Sequence, residues 1–335
     1  MSLKKYIFYR LIRFITLKNA SANLKLIRYS YNKLIKIKLI DRIIYFLKFK
    51  AKNYPTKIVS AEIMGGIGNQ LFQIANTLAY AWKYSLIPVF KEIKESPSMI
   101  NTRSVYWKTL FRKIIVKKHL HSHQLIPIIE REFLYHEIPS PTQIPNIQYK
   151  NGIIFKGYFQ SAKYFDRYRK ILLNYLFFIF PSEKKHLMKN FSEIYNKDII
   201  SIALHIRRGD YLTVPNVYIN LTETDYYQNA INYFQEKFSK FKYKFIVFSD
   251  DQEWVKNYMK KFFPCIKPII PIQRDYIELY LMSCCNHQII ANSSFSWWGA
   301  YLNNTPEKII VAPKKWFGSE GPPKHSLYMD NWIII

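Results

Sequence analysis

Asp198-Ile-Ile-Ser-Ile-Ala-Leu-His-Ile-Arg-Arg-Gly-Asp-Tyr211 decides how this chain is read. Its first part is an apolar run bounded by charge, the pattern of a strand buried on both faces of a parallel sheet. The polar residues gather at its carboxyl end, and in open α/β sheets ligands sit beyond that end. Arg207 and Arg208 therefore project toward a ligand, and a guanidinium fork is shaped to grip phosphate oxygens in pairs. A diphosphate is the expected ligand. His205 lies two residues before Arg207 and shares its face of the sheet. It is either a neighbour of that ligand or a satisfied core histidine. Asp210, beside two guanidiniums, is better suited to orienting an arginine than to accepting a proton.

Regular alternation surrounds this segment. Strands are expected at 199–206, 244–249, 267–270, 287–291 and 308–312, and helices at about 224–239, 252–262, 274–283 and 295–302. Such alternation is a doubly wound parallel sheet. Upstream, Lys57-Ile-Val-Ser-Ala-Glu-Ile-Met64 reads as a strand, followed by a glycine turn, a helix from Gln70 to Lys83, and a strand at Leu86-Ile-Pro-Val-Phe90. That is one βαβ unit. Asn151 to Gln160 reads as another strand, whereas 91–150 carries no period and receives no assignment. The expected architecture is α/β, with two Rossmann-like domains facing a cleft: a basic helical arm at 1–55, a first α/β domain at 56–185 and a second, diphosphate-binding domain at 186–335.

Three further segments carry chemistry. Gly65-Gly-Ile-Gly-Asn-Gln70 lacks the Gly-x-Gly-x-x-Gly spacing of dinucleotide sites and no ribose-binding acid follows it. Gly66 and Gly68 instead let the backbone approach a sugar or phosphate, with Asn69 and Gln70 presented to donor sugar or acceptor. Ser293, Ser294 and Phe295 lie between a strand and a helix, where backbone N–H groups hold anions; serines there are also ordinary N-caps. Asp250-Asp251 ends a strand and is contiguous, unlike the Asp-x-Asp pair of metal-holding transferases. Asp250 either accepts hydrogen bonds from a nucleotide base or caps the next helix. Trp297 and Trp298 read as core. Glu62, Asp210 and Glu223 are candidates for a catalytic base, and nothing singles one out.

The chain has 335 residues, enough for two domains, with 49% hydrophobic and 17% aromatic residues to build cores. Its net charge of +27 is uneven: fifteen basic residues and one acid, Asp41, precede Glu62, a local net of +14. Ile7, Leu11, Phe14 and Ile15 recur at helical spacing among those charges, as do Leu34, Ile35, Leu39, Ile43 and Leu47. Basic amphipathic helices lie on anionic membrane surfaces; the alternative is a solvated basic face over a core helix. No nucleic-acid motif accompanies the charge. No apolar run is long enough to span a bilayer. Cys265, Cys284 and Cys285 make no disulfide framework, and no Cys/His cluster, His119, His121 and His123 included, has zinc spacing. A cytoplasmic protein is expected, peripheral on the inner membrane face if the arm binds lipid.

His205-x-Arg207-Arg208-x-Asp210 resembles the donor-binding motif shared by α1,2-, α1,6- and protein O-fucosyltransferases. Gly65-Gly-Ile-Gly-Asn-Gln-Leu-Phe-Gln73 is similar to the first motif of the α1,2-fucosyltransferases of glycosyltransferase family 11. Phe248-Ser-Asp-Asp251, with Trp254 behind it, resembles that family's second donor segment, and Asn292-Ser-Ser-Phe-Ser-Trp-Trp-Gly-Ala300 its third. The four stand in the family's order between Ile58 and Trp316. The resemblance implies a GT-B architecture and inverting, metal-independent transfer of L-fucose from GDP-fucose to the 2-hydroxyl of a galactose in a surface glycan precursor, such as a lipopolysaccharide O-antigen or a capsule. It implies Arg207 at the β-phosphate with Arg208 close by, His205 near the nucleotide and Asp250 on the guanine, without a cofactor, with the 56–185 domain on the acceptor side and the 186–335 domain binding GDP-fucose; Asn69, by its place after the glycine turn, is the residue expected to hold the acceptor hydroxyl. The basic arm is extra to the family's core and suits a lipid-linked acceptor. Two other readings stand beside this one: a fucosyltransferase of the O- or α1,6-type, and a non-catalytic basic protein that binds membrane or nucleic acid.

Overall fold

Two parallel sheets organise the computed structural model, which describes residues 57–98, 101–176, 179–266, 268–271 and 273–335. The helical arm expected at 1–55 lies outside the described residues. In the first half, β1 (Ile58–Ala61) is followed by helix α1 (Ile67–Tyr84), β2 (Ile87–Pro88), β3 (Leu125–Ile129) and β4 (Gly152–Lys156). These strands pair in parallel in the order β2-β1-β4-β3. In the second half, β5 (Ile200–Ile206), α2 (Tyr226–Lys237), β6 (Tyr243–Ser249), α3 (Gln252–Phe262), α4 (Asp275–Cys284), β7 (His287–Ile289), α5 (Ser294–Leu302), β8 (Ile310–Ala312) and β9 (Ile333–Ile334) alternate. Their strands pair in parallel in the order β6-β5-β7-β8-β9. The arrangement is α/β and GT-B-like, the two sheets opening on a shared cleft.

The continuous apolar reading of β5 has its cause in this order. With β6 on one side and β7 on the other, Ser201 to Ile206 are all buried, so neither face can be polar. Register also matters for the site: Phe248 pairs with His205 and Ser249 with Ile206, which brings Asp250 level with Arg207.

Helix α1 is buried on nearly every side from Ile67 to Ala81, Asn69 being the exception. A helix buried all round belongs inside a core, and α1, whose buried side chains include Gln70, Gln73, Asn76 and Thr77, packs on β1 and also on α5 of the second half. Phe72 lies 4.4 Å from the Trp297 ring and 5.2 Å from the Trp298 ring, and Phe165 stacks on Trp298. Both tryptophans are fully buried and belong to one apolar cluster that runs through both halves. A second cluster lies under α2 and α3 on the far side of the second sheet. Tyr54–Ile335 forms one compact unit, and the helix Pro181–Asn190 runs across position 185.

Some expectations fail for local reasons. The strand expected at 267–270 is only a bridge between Ile246 and Ile269; Pro264, Pro268 and Pro271 around it lack ladder donors. Leu86–Phe90 is split, with β2 pairing β1 while Phe90–Lys91 pairs Val116–Lys117. β3 falls in the unassigned stretch, and its Pro127 is accommodated because the strand is an edge.

Candidate active site

A cleft of about 550 Å³ lies at the carboxyl ends of β5 and β6, closed on the other side by the start of α1 and the loops of the first half. Arg207 is at its floor. One guanidinium nitrogen donates to Asp210 Oδ1 and the other lies 3.0 Å from Asp250 Oδ2. Burial opposes the charge, but Asp250, Tyr211 and Asp210 outweigh it and raise the Arg207 pKa. Gly209 makes this arrangement possible, since a Cβ there would stand 2.1 Å from Asp250 Oδ2. The Arg207 Nε and His205 Nδ1 are buried without a hydrogen-bond partner. Burial, with the Arg207 charge adding to it, pushes the His205 pKa down to about 3, so the ring is neutral. His205 is thus no satisfied core histidine: it lines the cleft with an unused ring nitrogen, 5.2 Å from the Phe295 ring.

The start of α5 lines the same cleft as Arg207. Ser293 is its N-cap, accepting the Phe295 N–H at 3.3 Å, and Ser293, Ser294 and Phe295 all line the cleft. From the first half come Gly66, Gly68 and Asn69. Asn69 Oδ1 accepts a hydrogen bond from Gln160 Nε2 at 2.8 Å. A Cβ on Gly68 would lie 2.4 Å from the Ser294 carbonyl carbon, so this cleft-lining glycine also serves the close contact between α1 and α5.

The model of Glycosyl transferase family 11 matches residues 30–335. The chain belongs to glycosyl transferase family 11. It is 32% identical over 309 residues to the O-antigen biosynthesis glycosyltransferase WbnK of Escherichia coli, covering 82% of this chain and 99% of that protein. It is 30% identical over 297 residues to an α-1,2-colitosyltransferase of Escherichia coli, covering 83% of this chain and 99% of that protein. Over 154 residues it is 29% identical to the mouse galactoside 2-α-L-fucosyltransferase Sec1, covering 40% of this chain and 38% of that protein.

All four segments that resemble family 11 send residues into the cleft, but not every residue expected there arrives. Arg208 does not line it; successive residues beyond the strand take opposite faces. Its guanidinium bonds Asp251 at 2.8 Å and lies 4.3 Å over the Trp254 ring, which pins the loop to α3. Gln70 is fully buried, and its amide donates to Gly65 O at 3.0 Å and Ser104 O at 3.1 Å. It braces the glycine turn against the 95–104 hairpin instead of meeting an acceptor. Asp250 lines the cleft, but its oxygens take Arg207 and the Arg208 N–H, the latter at 3.0 Å, rather than standing free for a base. Asp251, not Asp250, caps α3. Glu62 pairs with Lys156 at 2.8 Å and Glu223 bonds Asn220 at 2.8 Å, both outside the cleft.

Sequence reasoning missed several lining residues. Glu278 on α4 is 8% exposed and accepts from Gln273 N at 3.0 Å and Gln252 Nε2 at 3.3 Å; burial pushes its pKa up to about 7. Asp275 is held by Tyr106, and burial raises its pKa as well. A lone glutamate inside the apolar run Tyr276-Ile-Glu-Leu-Tyr-Leu-Met282 was the available signal. Phe133, Tyr158, Tyr218 and Phe317 form an aromatic wall, with Phe133–Phe317 and Tyr218–Phe317 ring distances of 5.6 and 5.9 Å. Among the described residues no group of three His, Cys, Asp or Glu is arranged to hold a metal, and no helix is long and apolar enough to cross a membrane.

Proposed function

We propose that this family 11 chain transfers L-fucose from GDP-fucose to the 2-hydroxyl of a galactose in a surface glycan precursor, of the O-antigen type, with inversion and without a metal. The observation that carries the reading is that Arg207, clamped in place by two carboxylates, and the N-terminus of α5 line one cleft. That site suits a diphosphate whose charge grows as the glycosidic bond breaks. Glu278, Gln252 and Gln273 offer the other end of the cleft to a base rich in N–H donors, as guanine is. Asn69, steadied by Gln160, is the group for the acceptor hydroxyl. In a dissociative transition state the hydroxyl needs only a hydrogen bond until late, its proton leaving to water. Aromatic faces at Phe133, Tyr158, Tyr218 and Phe317 suit the apolar face of a pyranose. The basic stretch 1–55 extends the proposal to an anionic inner membrane face carrying a lipid-linked acceptor.

One observation favours a second donor: the colitosyltransferase relative is as similar as the O-antigen relative, within 2% in identity. Colitose is L-fucose without its 3-hydroxyl, so the same cleft chemistry accommodates it. The test incubates the full chain with EDTA, a β-galactoside and either GDP-fucose or GDP-colitose, and determines the product linkage by NMR. An α1,2-linked fucoside formed in EDTA supports the proposal. Exclusive use of GDP-colitose moves it to the second donor, and no transfer from either sugar nucleotide refutes both.

A further inference from the structure

Arg103 lines the same cleft as Arg207. It belongs to the hairpin Glu95–Ser96/Arg103–Ser104 of the first half, and its Nη2 lies 3.4 Å from Asp210 Oδ2. The other oxygen of Asp210 takes Arg207. One carboxylate of the second half therefore holds a guanidinium from each half.

The charge distribution gives this contact its meaning. Among the described residues lining the cleft, Arg103 and Arg207 are the only Lys or Arg side chains, and His205 is neutral. Against them stand Asp210, Asp250, Asp275 and Glu278. Arg207 is matched by Asp210 and Asp250 together, so an arriving diphosphate meets a cation whose charge is already compensated. The start of α5 contributes only about half an elementary charge. Arg103 is the remaining cation within the cleft, and its present hold is weak: a 3.4 Å contact with Asp210 on a side chain 39% exposed, with Asp275 near enough to feel its charge. Arginine on phosphate is short, charge-assisted and often two-pronged.

Arg103 is also delivered by a braced element. Gln70 Nε2 bonds Ser104 O and Gly65 O, Ser96 Oγ donates to Gly65 O at 2.8 Å, and the Gly65 N–H reaches Pro97 O at 2.6 Å. These bonds fasten the hairpin to the glycine turn at the cleft edge.

We propose that Arg103 is a second diphosphate-binding residue, which releases Asp210 and takes phosphate oxygens of the donor together with Arg207. The inference rests on the nucleoside diphosphate donor proposed above. It is tested by calorimetric titration of the full chain with GDP and with guanosine, in wild type, Arg103→Met, Arg103→Lys and Arg207→Ala. Arg103→Met keeps the aliphatic stem and breaks only a part-exposed pair, so the fold persists; circular dichroism verifies this. The expected result is GDP affinity lowered roughly 10- to 100-fold with guanosine affinity unchanged, and Arg103→Lys in between. GDP binding within twofold of wild type, or guanosine weakened as much as GDP, overturns the role of Arg103 while Arg207→Ala still abolishes GDP binding. If wild type binds neither ligand at millimolar concentration, the donor reading falls and this inference with it.

Discussion

Replacing Glu278 with glutamine separates what this residue does for stability from what it does for the ligand. Glu278 is 8% exposed, and burial raises its pKa from 4.5 to about 7. Folding therefore favours its protonated form. The stability this brings is fully present below about pH 4.5 and is lost as pH rises through about 7. A shift of that size corresponds to roughly 3 kcal/mol between pH 4 and pH 8, at about 1.4 kcal/mol per unit. The amide introduced by Glu278→Gln keeps an acceptor for the Gln273 N–H and for Gln252 Nε2 but carries no charge to bury. The variant is expected to be more stable than wild type at pH 8 by up to about 3 kcal/mol, raising Tm by roughly 5 °C, and equal to it at pH 4.5. Its affinity for GDP is expected to fall at pH 8 roughly tenfold, because the carboxylate that meets the N–H donors of the base is gone. Thermal unfolding by circular dichroism at pH 4.5, 6 and 8, with GDP titrations at pH 8, measures both. A variant no more stable than wild type at pH 8, with an unchanged pH slope, refutes the account of Glu278 as a buried carboxylate whose ionisation strains the fold.

Gly68→Ala places a methyl 2.4 Å from the Ser294 carbonyl carbon, so a loss of about 1–3 kcal/mol in denaturant unfolding is expected, with weaker GDP binding as the start of α5 shifts. Phe317→Ala removes one face of the aromatic wall; the acceptor KM should rise up to about tenfold with the GDP-fucose KM unchanged, as steady-state kinetics with each substrate varied will measure. The full chain should sediment with vesicles containing phosphatidylserine and not with neutral ones, and lose the association as salt rises past about 0.5 M.

Family, fold and several of the cleft-lining residues are legible in the sequence alone. Ile200–Ile206 and Tyr243–Ser249 fall within a residue of their expected limits because a strand buried on both faces writes an unbroken apolar run between charges. The helices Gln252–Phe262 and Ser294–Leu302 are as clear, since capping residues and turns bracket them. Residues 91–150 were opaque for the opposite reason. Two-residue strands such as Phe90–Lys91 and Val116–Lys117 are too short to carry a period, and each exists only because the other is beside it.

By itself the sequence determined the parallel α/β plan, the family, and the placing of His205, Arg207 and the Ser293–Phe295 turn at strand ends. All of these depend on neighbours within a few residues. Tertiary structure alone decided that Arg207 enters the cleft while Arg208 locks onto Asp251, and that Gln70 braces a hairpin. It also brought Arg103 to Asp210, 107 residues later, set the buried Glu278 in the cleft wall, and gathered Phe133, Tyr158, Tyr218 and Phe317 from separate loops. A side chain's partner across such distances is set by how the two sheets are joined through α1 and α5, and local periodicity keeps no trace of that join.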